Sequence, residues 1–342
     1  MKCKRCLLDS DICTVKDGIC EFCRLHDKLK ADYHPAKWEG VLKKIRKHRC
    51  LIGISGGFDS ALLLDWAQSW GLDLLVIHFD NGYNTPEAEN NMRQLTKNVE
   101  FIRYQVNGEQ YRRCNDAFVR AGLPDADIPN DMIMTSLMYR AAKQYRIKYI
   151  LNGHNFRTEG STPVKWTYMD ARYIKSVYSK FYDDKFTLPV FTFGEQIRYA
   201  LSGVRQVRPF YYHDFDIGKE KKRLIKKYGL KDYGGKHGEN IYTDFIGSWY
   251  LPEVHGIDKR IIYLSARIRN GDMTKTEALR ELQKRHLTDD VHALIPYYNS
   301  LEKMTCVRED FDRYDFKKYR ILIYLMTKMG VLPYTFYKKY CK

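Results

Sequence analysis

The stretch Ser55-Gly56-Gly57-Phe58-Asp59-Ser60 follows the apolar run Cys50-Leu51-Ile52-Gly53-Ile54 and precedes a helical apolar pattern over residues 61–70 that stops at Gly71. An apolar run of this length beside a glycine turn reads as a strand of the parallel type, covered on both faces. The chain therefore passes from strand to helix through a two-glycine loop, and residues 72–79 read as the next strand. Further strand candidates at 100–106, 149–152 and 207–212, with a helical pattern at 131–145, extend this order to an α/β fold with a doubly wound parallel sheet.

A loop in that position brings backbone N–H groups and the positive end of a helix dipole to one place, which suits an anion. Gly56 and Gly57 let phosphate oxygens approach the main chain, and Ser55 and Ser60 offer hydroxyl donors. Asp59 is the odd member, because a carboxylate repels phosphate unless a cation intervenes. Its expected role is therefore through Mg²⁺. The plainer reading is a glycine turn in which Asp59 or Ser60 caps the helix, and the six-residue pattern between strand and helix weighs against it.

Five of the nine cysteines fall in the first 23 residues, four of them as Cys3-x-x-Cys6 and Cys20-x-x-Cys23 around a loop containing Cys13 and Asp17-Gly18. Two such knuckles can place four thiolates tetrahedrally around Zn²⁺, and a segment this poor in apolar residues needs a staple to fold. An iron–sulfur cluster accepts the same ligand set.

The 58 basic residues against 42 acidic ones give a net charge of +16, which attracts nucleic acid, anionic lipid or phosphorylated metabolites without choosing among them. Much of the excess lies in residues 219–231 and 317–342, where a solvated basic helix face is the plain alternative. The longest apolar run, residues 321–326, is too short to span a bilayer, and no apolar stretch follows the charged N-terminus. The expectation is a cytoplasmic protein. After about residue 231 the pattern turns helical, with a Thr274-x-x-Glu277 capping box and a helix over 316–329 ending at Gly330. Three segments are expected: a knuckle at 1–30, a nucleotide domain at 31–232 and a helical substrate or partner region at 233–342.

Ser-Gly-Gly-x-Asp-Ser after a first strand resembles the signature of the PP-loop ATP pyrophosphatases, of adenine nucleotide α-hydrolase-like fold. Ile77-His78-Phe79-Asp80-Asn81-Gly82 looks like the strand end where that family holds adenine. Gly153-His154-Asn155 is similar to its later glycine-histidine motif, and Val207-Arg208-Pro209-Phe210 to its last-strand motif. The resemblance covers residues 50 to about 230 and implies ATP and Mg²⁺, with Ser55, Gly56, Gly57, Asp59, Ser60, His78, Phe79 and Gly153 at the nucleotide.

A narrower resemblance rests on residues 153–160, 166–174, 234–240, 256–260 and 273–279, together with the cysteine knuckle. These are similar to the N-acetyl sugar amidotransferases of bacterial surface-polysaccharide biosynthesis, which include lipopolysaccharide O-antigen enzymes. The resemblance implies adenylation of an acetamido oxygen on an N-acetylated sugar, nucleotide-linked or not, and its replacement by ammonia from a separate glutaminase. It implies catalytic roles for Asp59, Ser60, His154 and Asp170, and substrate contacts from Asn155, Arg157, Arg172, Lys175, Lys236 and His237. From the residues alone, His154 reads either as structural or as a ligand-facing loop residue, and Asp170 as a helix cap or as a ligand of Mg²⁺ or sugar. Lys236, His237 and Glu239 share a glycine-rich loop that an ordinary turn would match equally well. Phe58 stands where many relatives carry lysine, and Arg157, Lys165, Arg172 and Lys175 are candidates for the missing cation.

The chief rival is a tRNA thiolation enzyme, since PP-loop relatives with cysteine knuckles exist and the positive charge suits RNA. Outside the knuckle and Cys13, however, only isolated Cys50, Cys114, Cys306 and Cys341 remain to relay sulfur. A non-catalytic zinc-module nucleic-acid binder leaves the loop unexplained, so nucleic acid is not the expected partner. No cysteine sits in a nucleophile-elbow context with a downstream His-x-Glu, so the glutaminase is expected on another chain.

Overall fold

The computed structural model describes residues 1–163, 166–235, 238–284, 287–329, 336–337 and 340–341. The chain divides into two compact units that differ from the three consecutive segments expected. The first comprises Met1–Gln105, Ala142–Pro163 and Arg205–Asn299; the second comprises Val106–Ala141, Val164–Val204 and Ser300–Lys342.

The first unit contains a small antiparallel hairpin, β1 (Val15–Lys16) and β2 (Ile19–Cys20), turned by Asp17 and Gly18, both at positive φ. It also holds a five-stranded parallel sheet: β3 (Cys50–Gly53), β4 (Leu74–Asp80), β5 (Glu100–Gln105), β6 (Tyr149–Leu151) and β7 (Arg205–Val207). The order across the sheet is β5-β4-β3-β6-β7. The chain thus builds outward from β3 in one direction and then reverses to the other side. That reversal opens a crevice beyond the carboxyl ends of β3 and β6, where ligands bind in sheets of this kind. The strand expected over 207–212 runs instead from Arg205 to Val207, and Pro209–Tyr211 forms a 3₁₀ turn. Pro209 has no N–H to give to the ladder, so pairing ends before it.

Helix Phe58–Ser69 is buried nearly all round: Ala61, Leu62, Leu63, Leu64, Asp65 and Ala67 are all inaccessible or nearly so. It packs with β3 and β4 in the main core, together with Phe210 and Leu224. It begins three residues earlier than its apolar pattern indicates, so Asp59 and Ser60 lie in its first turn. At its far end Gly71 takes a φ of +66°, and Leu72 N–H closes onto the Ala67 carbonyl.

Asp65 is the polar exception on this enclosed helix. Its carboxylate accepts from Arg223 Nη2 at 2.6 Å, Lys227 Nζ at 2.6 Å and Tyr228 Oη at 2.7 Å, which fixes helix Ile217–Tyr228 to it. Part of the basic run at 219–231 is therefore structural. Helices Arg260–Asn270 and Lys275–Gln283, the latter opened by the expected Thr274–Glu277 capping box, complete this unit's C-terminal part. They hold the cysteine knuckle, with Lys275 Nζ on the carbonyls of Cys3 and Lys4, Arg5 Nη2 on that of Arg269, and Leu7 N–H on Ser265 Oγ.

The second unit contains helices Gly108–Arg120, Ala171–Ser179, Phe193–Leu201 and Arg320–Lys328, with most of Ile128–Gln144. Its centre is Asp125, fully buried, which accepts from Tyr168 N–H, Tyr173 Oη and, in a fork, Arg308. The C-terminal helix is shorter than expected, because residues 317–319 form a 3₁₀ turn before it. Among the described residues no helix is long and apolar enough to cross a membrane.

The Asp65 cluster makes a prediction with a sign. Burial works against the Asp65 charge, but hydrogen bonds from Lys227, Tyr228 and Arg223 outweigh it and hold the pKa below the ordinary carboxylate range. A carboxylate depressed in the folded state stabilises above its unfolded pKa of about 3.9, and this contribution fades as pH falls through the folded value. Asp65→Asn is expected to cost about 1.5 kcal/mol at pH 7, since charge-assisted hydrogen bonds are lost while the two cations, 40 and 50% exposed, stay solvated. Thermal melts at stepped pH should show the gap to wild type narrowing below about pH 4.

Candidate active site

The loop between β3 and its helix is built so tightly that Gly56 cannot be replaced and a side chain at Gly57 would displace a carboxylate. Gly56 has a φ of +80°, and a β-carbon there would lie 2.5 Å from the Ala88 carbonyl oxygen. A β-carbon on Gly57 would lie 2.8 Å from Glu239 Oε1. The loop is also stitched internally: Ser55 N–H donates to Ser60 Oγ at 3.2 Å, Gly57 N–H to Ser55 Oγ at 3.3 Å, and Ser60 Oγ–H to the Gly57 carbonyl at 2.9 Å. Buried Asn91 clamps it from outside, donating to the Gly56 carbonyl and to that of Lys231, while accepting from Lys231 N–H.

Two neighbours of the loop come from beyond residue 230: Tyr233, which no sequence motif marks, and Glu239, from the glycine-rich loop at 234–240. Phe58 N–H donates to Tyr233 Oη at 3.0 Å, and Ser55 Oγ–H donates to Glu239 Oε1 at 3.2 Å. The Glu239 carboxylate thus lies against the glycines whose N–H groups suit an anion. Burial, then the charges of Glu239 and Asp59, push the Tyr233 phenol up and keep it protonated. Asp59 and Ser60 are half-buried at the helix start. Two carboxylates beside a phosphate-sized cradle can be reconciled with phosphate by a divalent cation.

Phe58 is buried against Tyr233, and Lys221 Nζ lies 4.7 Å from its ring centre while pairing with Asp232 at 2.7 Å. A lysine from helix Ile217–Tyr228 therefore stands over the residue that fills the usual lysine position. Sequence reasoning missed it because residues 58 and 221 meet only in the fold.

The strand ends beside the loop supply the rest. His78, at the end of β4, is buried with Nδ1–H donating to the Ile54 carbonyl at 2.8 Å and Nε2 accepting from Asn84 at 2.9 Å. Burial lowers its pKa, so it is neutral at pH 7. Both ring nitrogens are committed within the chain, so the side chain shapes the loop and the main chain is left for the expected nucleotide contact. Phe79 is half-buried at the same strand end. Gly153 lies beside the Asp59 carbonyl, where a β-carbon would make contact at 3.7 Å, so the loops after β3 and β6 adjoin. His154 is one-third exposed, with Nδ1 accepting from Tyr211 Oη at 3.0 Å and Nε2–H donating to the Gly160 carbonyl at 3.0 Å.

Asn155 and Arg157 stand differently from expectation. The Asn155 side chain accepts from Arg157 N–H within its own turn, and Arg157 is buried with Nη1 on the carbonyls of Phe210 and Tyr211. Both serve to hold residues 153–160 against the turn after β7, and Arg157 is spent as a substrate or phosphate cation. Asp170, in the second unit, caps helix Ala171–Ser179 through Arg172 N–H and Tyr173 N–H, and accepts from Tyr168 Oη and Tyr314 N–H. It is wholly buried with four donors on two oxygens, so the cap reading holds and the catalytic one does not. Arg172 and Lys175 are exposed on the next turns and line an open cleft of about 400 Å³ with Lys180, Asp310, Phe311 and Asp312, of both charge signs. Lys165, Lys236 and His237 lie outside the described residues.

The four knuckle cysteines are buried, and their sulfurs all lie within 4.8 Å of one another. The Cys3–Cys23 and Cys6–Cys20 sulfur pairs are 3.8 and 3.6 Å apart. Tetrahedral Zn–S bonds of about 2.3 Å put sulfurs about 3.8 Å apart, so the set fits one zinc ion and is too tight for the several irons and sulfides of a cluster. The centre is linked to the crevice by rings: His26, one turn beyond Cys23, packs on Phe156 at 5.2 Å, and Phe156 on Tyr211 at 4.9 Å. Tyr211 is the hydroxyl that holds His154.

Residues 239–329 match the family described as LPS biosynthesis protein WbpG-like, C-terminal domain. The match begins at Glu239, the residue in contact with the glycine loop. No curated protein matches the chain. Among solved structures, the NMN synthetase from Francisella tularensis is similar over 83% of this chain and 98% of its own, at 12% identity and a TM-score of 0.36. A likeness this loose carries no argument about either chain's chemistry.

One zinc per chain is expected by elemental analysis of the native protein. Cys20→Ser should lose the metal and lower the melting temperature, and several irons with acid-labile sulfide in place of zinc would refute the geometric fit.

Proposed function

We propose that this chain is an ATP-dependent, AMP-forming amidotransferase that converts the acetamido group of an N-acetylated sugar to an acetamidino group, in bacterial surface-glycan biosynthesis. The observation that carries the reading is the contact of Glu239, the first residue of the segment matching the WbpG-like C-terminal domain, with a glycine loop of pyrophosphate-binding type.

An amide carbonyl is a poor electrophile, and its oxygen is a poor leaving group until it becomes an ester of AMP. In this reading the loop at Ser55, Gly56, Gly57, Asp59 and Ser60 receives the pyrophosphate portion of ATP, with Asp59 and Glu239 acting through Mg²⁺. Lys221 supplies the positive charge that Phe58 lacks. The acetamido oxygen attacks the α-phosphorus and pyrophosphate departs. Ammonia then adds to the imidate carbon, and AMP leaves with the former amide oxygen. His154 stands at the crevice beside this centre as its candidate proton-handling group. Ammonia comes from a glutaminase on another chain.

The thiolation alternative gains nothing from Cys50. It sits at the start of β3, at the opposite end from the loop, and burial followed by the Asp73 charge pushes its thiol up to about 12. A relay needs a thiolate at neutral pH.

With ATP, Mg²⁺, ammonium and candidate acetamido sugars, the purified chain is expected to release AMP and add the mass of the amidine. Asp59→Ala and Ser60→Ala should abolish AMP formation, and Lys221→Met should reduce kcat/KM by about tenfold to a hundredfold with zinc content unchanged. Glutamine should not replace ammonium without the second chain. Sulfur transfer to tRNA with no amidine formed would overturn the proposal.

A further inference from the structure

Helix Arg320–Lys328 presents its apolar side outward. It buries Ile323, while Ile321, Leu322, Leu325 and Met329, just past its end, are 72, 56, 52 and 69% exposed. At about 100° per residue these four fall on one arc of about 100°, on the side away from Ile323. A helix that only covers a core turns such a stripe inward. Tyr319 and Tyr324 are exposed at its margins.

The surrounding charge is mostly of one sign, with Asp315, 4.0 Å from Lys317 Nζ, the last acid before the helix. From Phe316 to the last residue the sequence contains Lys317, Lys318, Arg320, Lys328, Lys338, Lys339 and Lys342, and no aspartate or glutamate. Lys317, Lys318, Arg320 and Lys328 are exposed in or beside the helix.

We propose that this helix is a membrane-surface anchor, laying its Ile321–Leu322–Leu325–Met329 arc into the interfacial layer of an anionic bilayer while the basic residues meet lipid phosphates. The arc carries no hydrogen-bonding side chain to fix the orientation of a protein partner, whereas lipid asks for none. An excess of exposed cations around an apolar stripe, with Asp315 beside Lys317 the one nearby acid among the described residues from 315 to 329 and tyrosines at the stripe's edge, matches the chemistry of a bilayer interface. A second copy of this chain would bring the same cations face to face, at a net charge of +16 each. Nine residues are too few to cross a bilayer, which takes about 20, so the helix lies in the plane of the surface. The proposal is independent of the reaction assigned above.

The test is flotation of the full-length chain with phosphatidylcholine vesicles, with and without phosphatidylglycerol. The chain is expected to float with the phosphatidylglycerol vesicles alone and to be released largely by high salt. Leu322→Glu/Leu325→Glu, at exposed positions, should reduce the bound fraction about tenfold, and Lys317→Glu/Lys318→Glu should reduce it also, with zinc content and melting temperature unchanged in both. No flotation with phosphatidylglycerol vesicles would overturn the proposal, as would flotation that the leucine pair does not affect. So would a stable complex with a protein, a second copy included, that the leucine pair disrupts while vesicles do not bind.

Discussion

Enclosure of helix Phe58–Ser69 on nearly every side is the constraint from which the site follows. A helix that packs on one stripe can tilt, but one surrounded by β3, β4 and helix Ile217–Tyr228 cannot shift without opening a cavity in the core. Each fully buried leucine on it contributes about 2 kcal/mol, so such movement is costly. The loop at residues 55–57 therefore inherits its position from the core behind it. Asp65 is the point where enclosure conflicts with charge, and three donors on one carboxylate resolve it.

Around that fixed loop the chain assembles groups from distant segments. Asn91 holds the Gly56 carbonyl, Tyr233 meets the first helical N–H, Glu239 reaches Ser55, and Lys221 stands over Phe58. Glycine is favoured at 56 and 57 because the Ala88 main chain and the Glu239 carboxylate come within 3 Å of where their β-carbons would be. The cradle is thus a joint product of the strand–loop–helix unit and the region beginning near residue 231. This explains why a signature confined to residues 55–60 describes only part of it.

The parallel sheet was legible because continuous apolar runs and glycine turns mark buried strands directly, and the cysteine pairs marked their cluster by spacing alone. The third strand boundary failed at Pro209, where an apolar run continued past the residue that ends pairing. His78, Arg157 and Asp170 were chosen as polar residues in motif positions. All three are buried and hydrogen-bonded to main chain, a distinction that residue type cannot convey. Asp170 was open between cap and ligand until Tyr168 and Tyr314 filled its second oxygen. Lys221 and Tyr233 gave no signal because their importance comes from three-dimensional proximity to Phe58.

The interleaving of the two units has a bearing on how the chain is made. Neither unit is contiguous, so during synthesis the first strands emerge long before β7 and the helices at 260–283 that complete their unit. The cysteine knuckle can gather its ion within the first 23 residues, yet Arg5 waits for a carbonyl 264 positions later. A metal-loaded N-terminus tethered to an unfinished sheet exposes apolar strand faces for most of translation. This chain should therefore lean on chaperones and on slow elongation more than its size alone indicates, and truncations at the expected segment boundaries should yield insoluble protein.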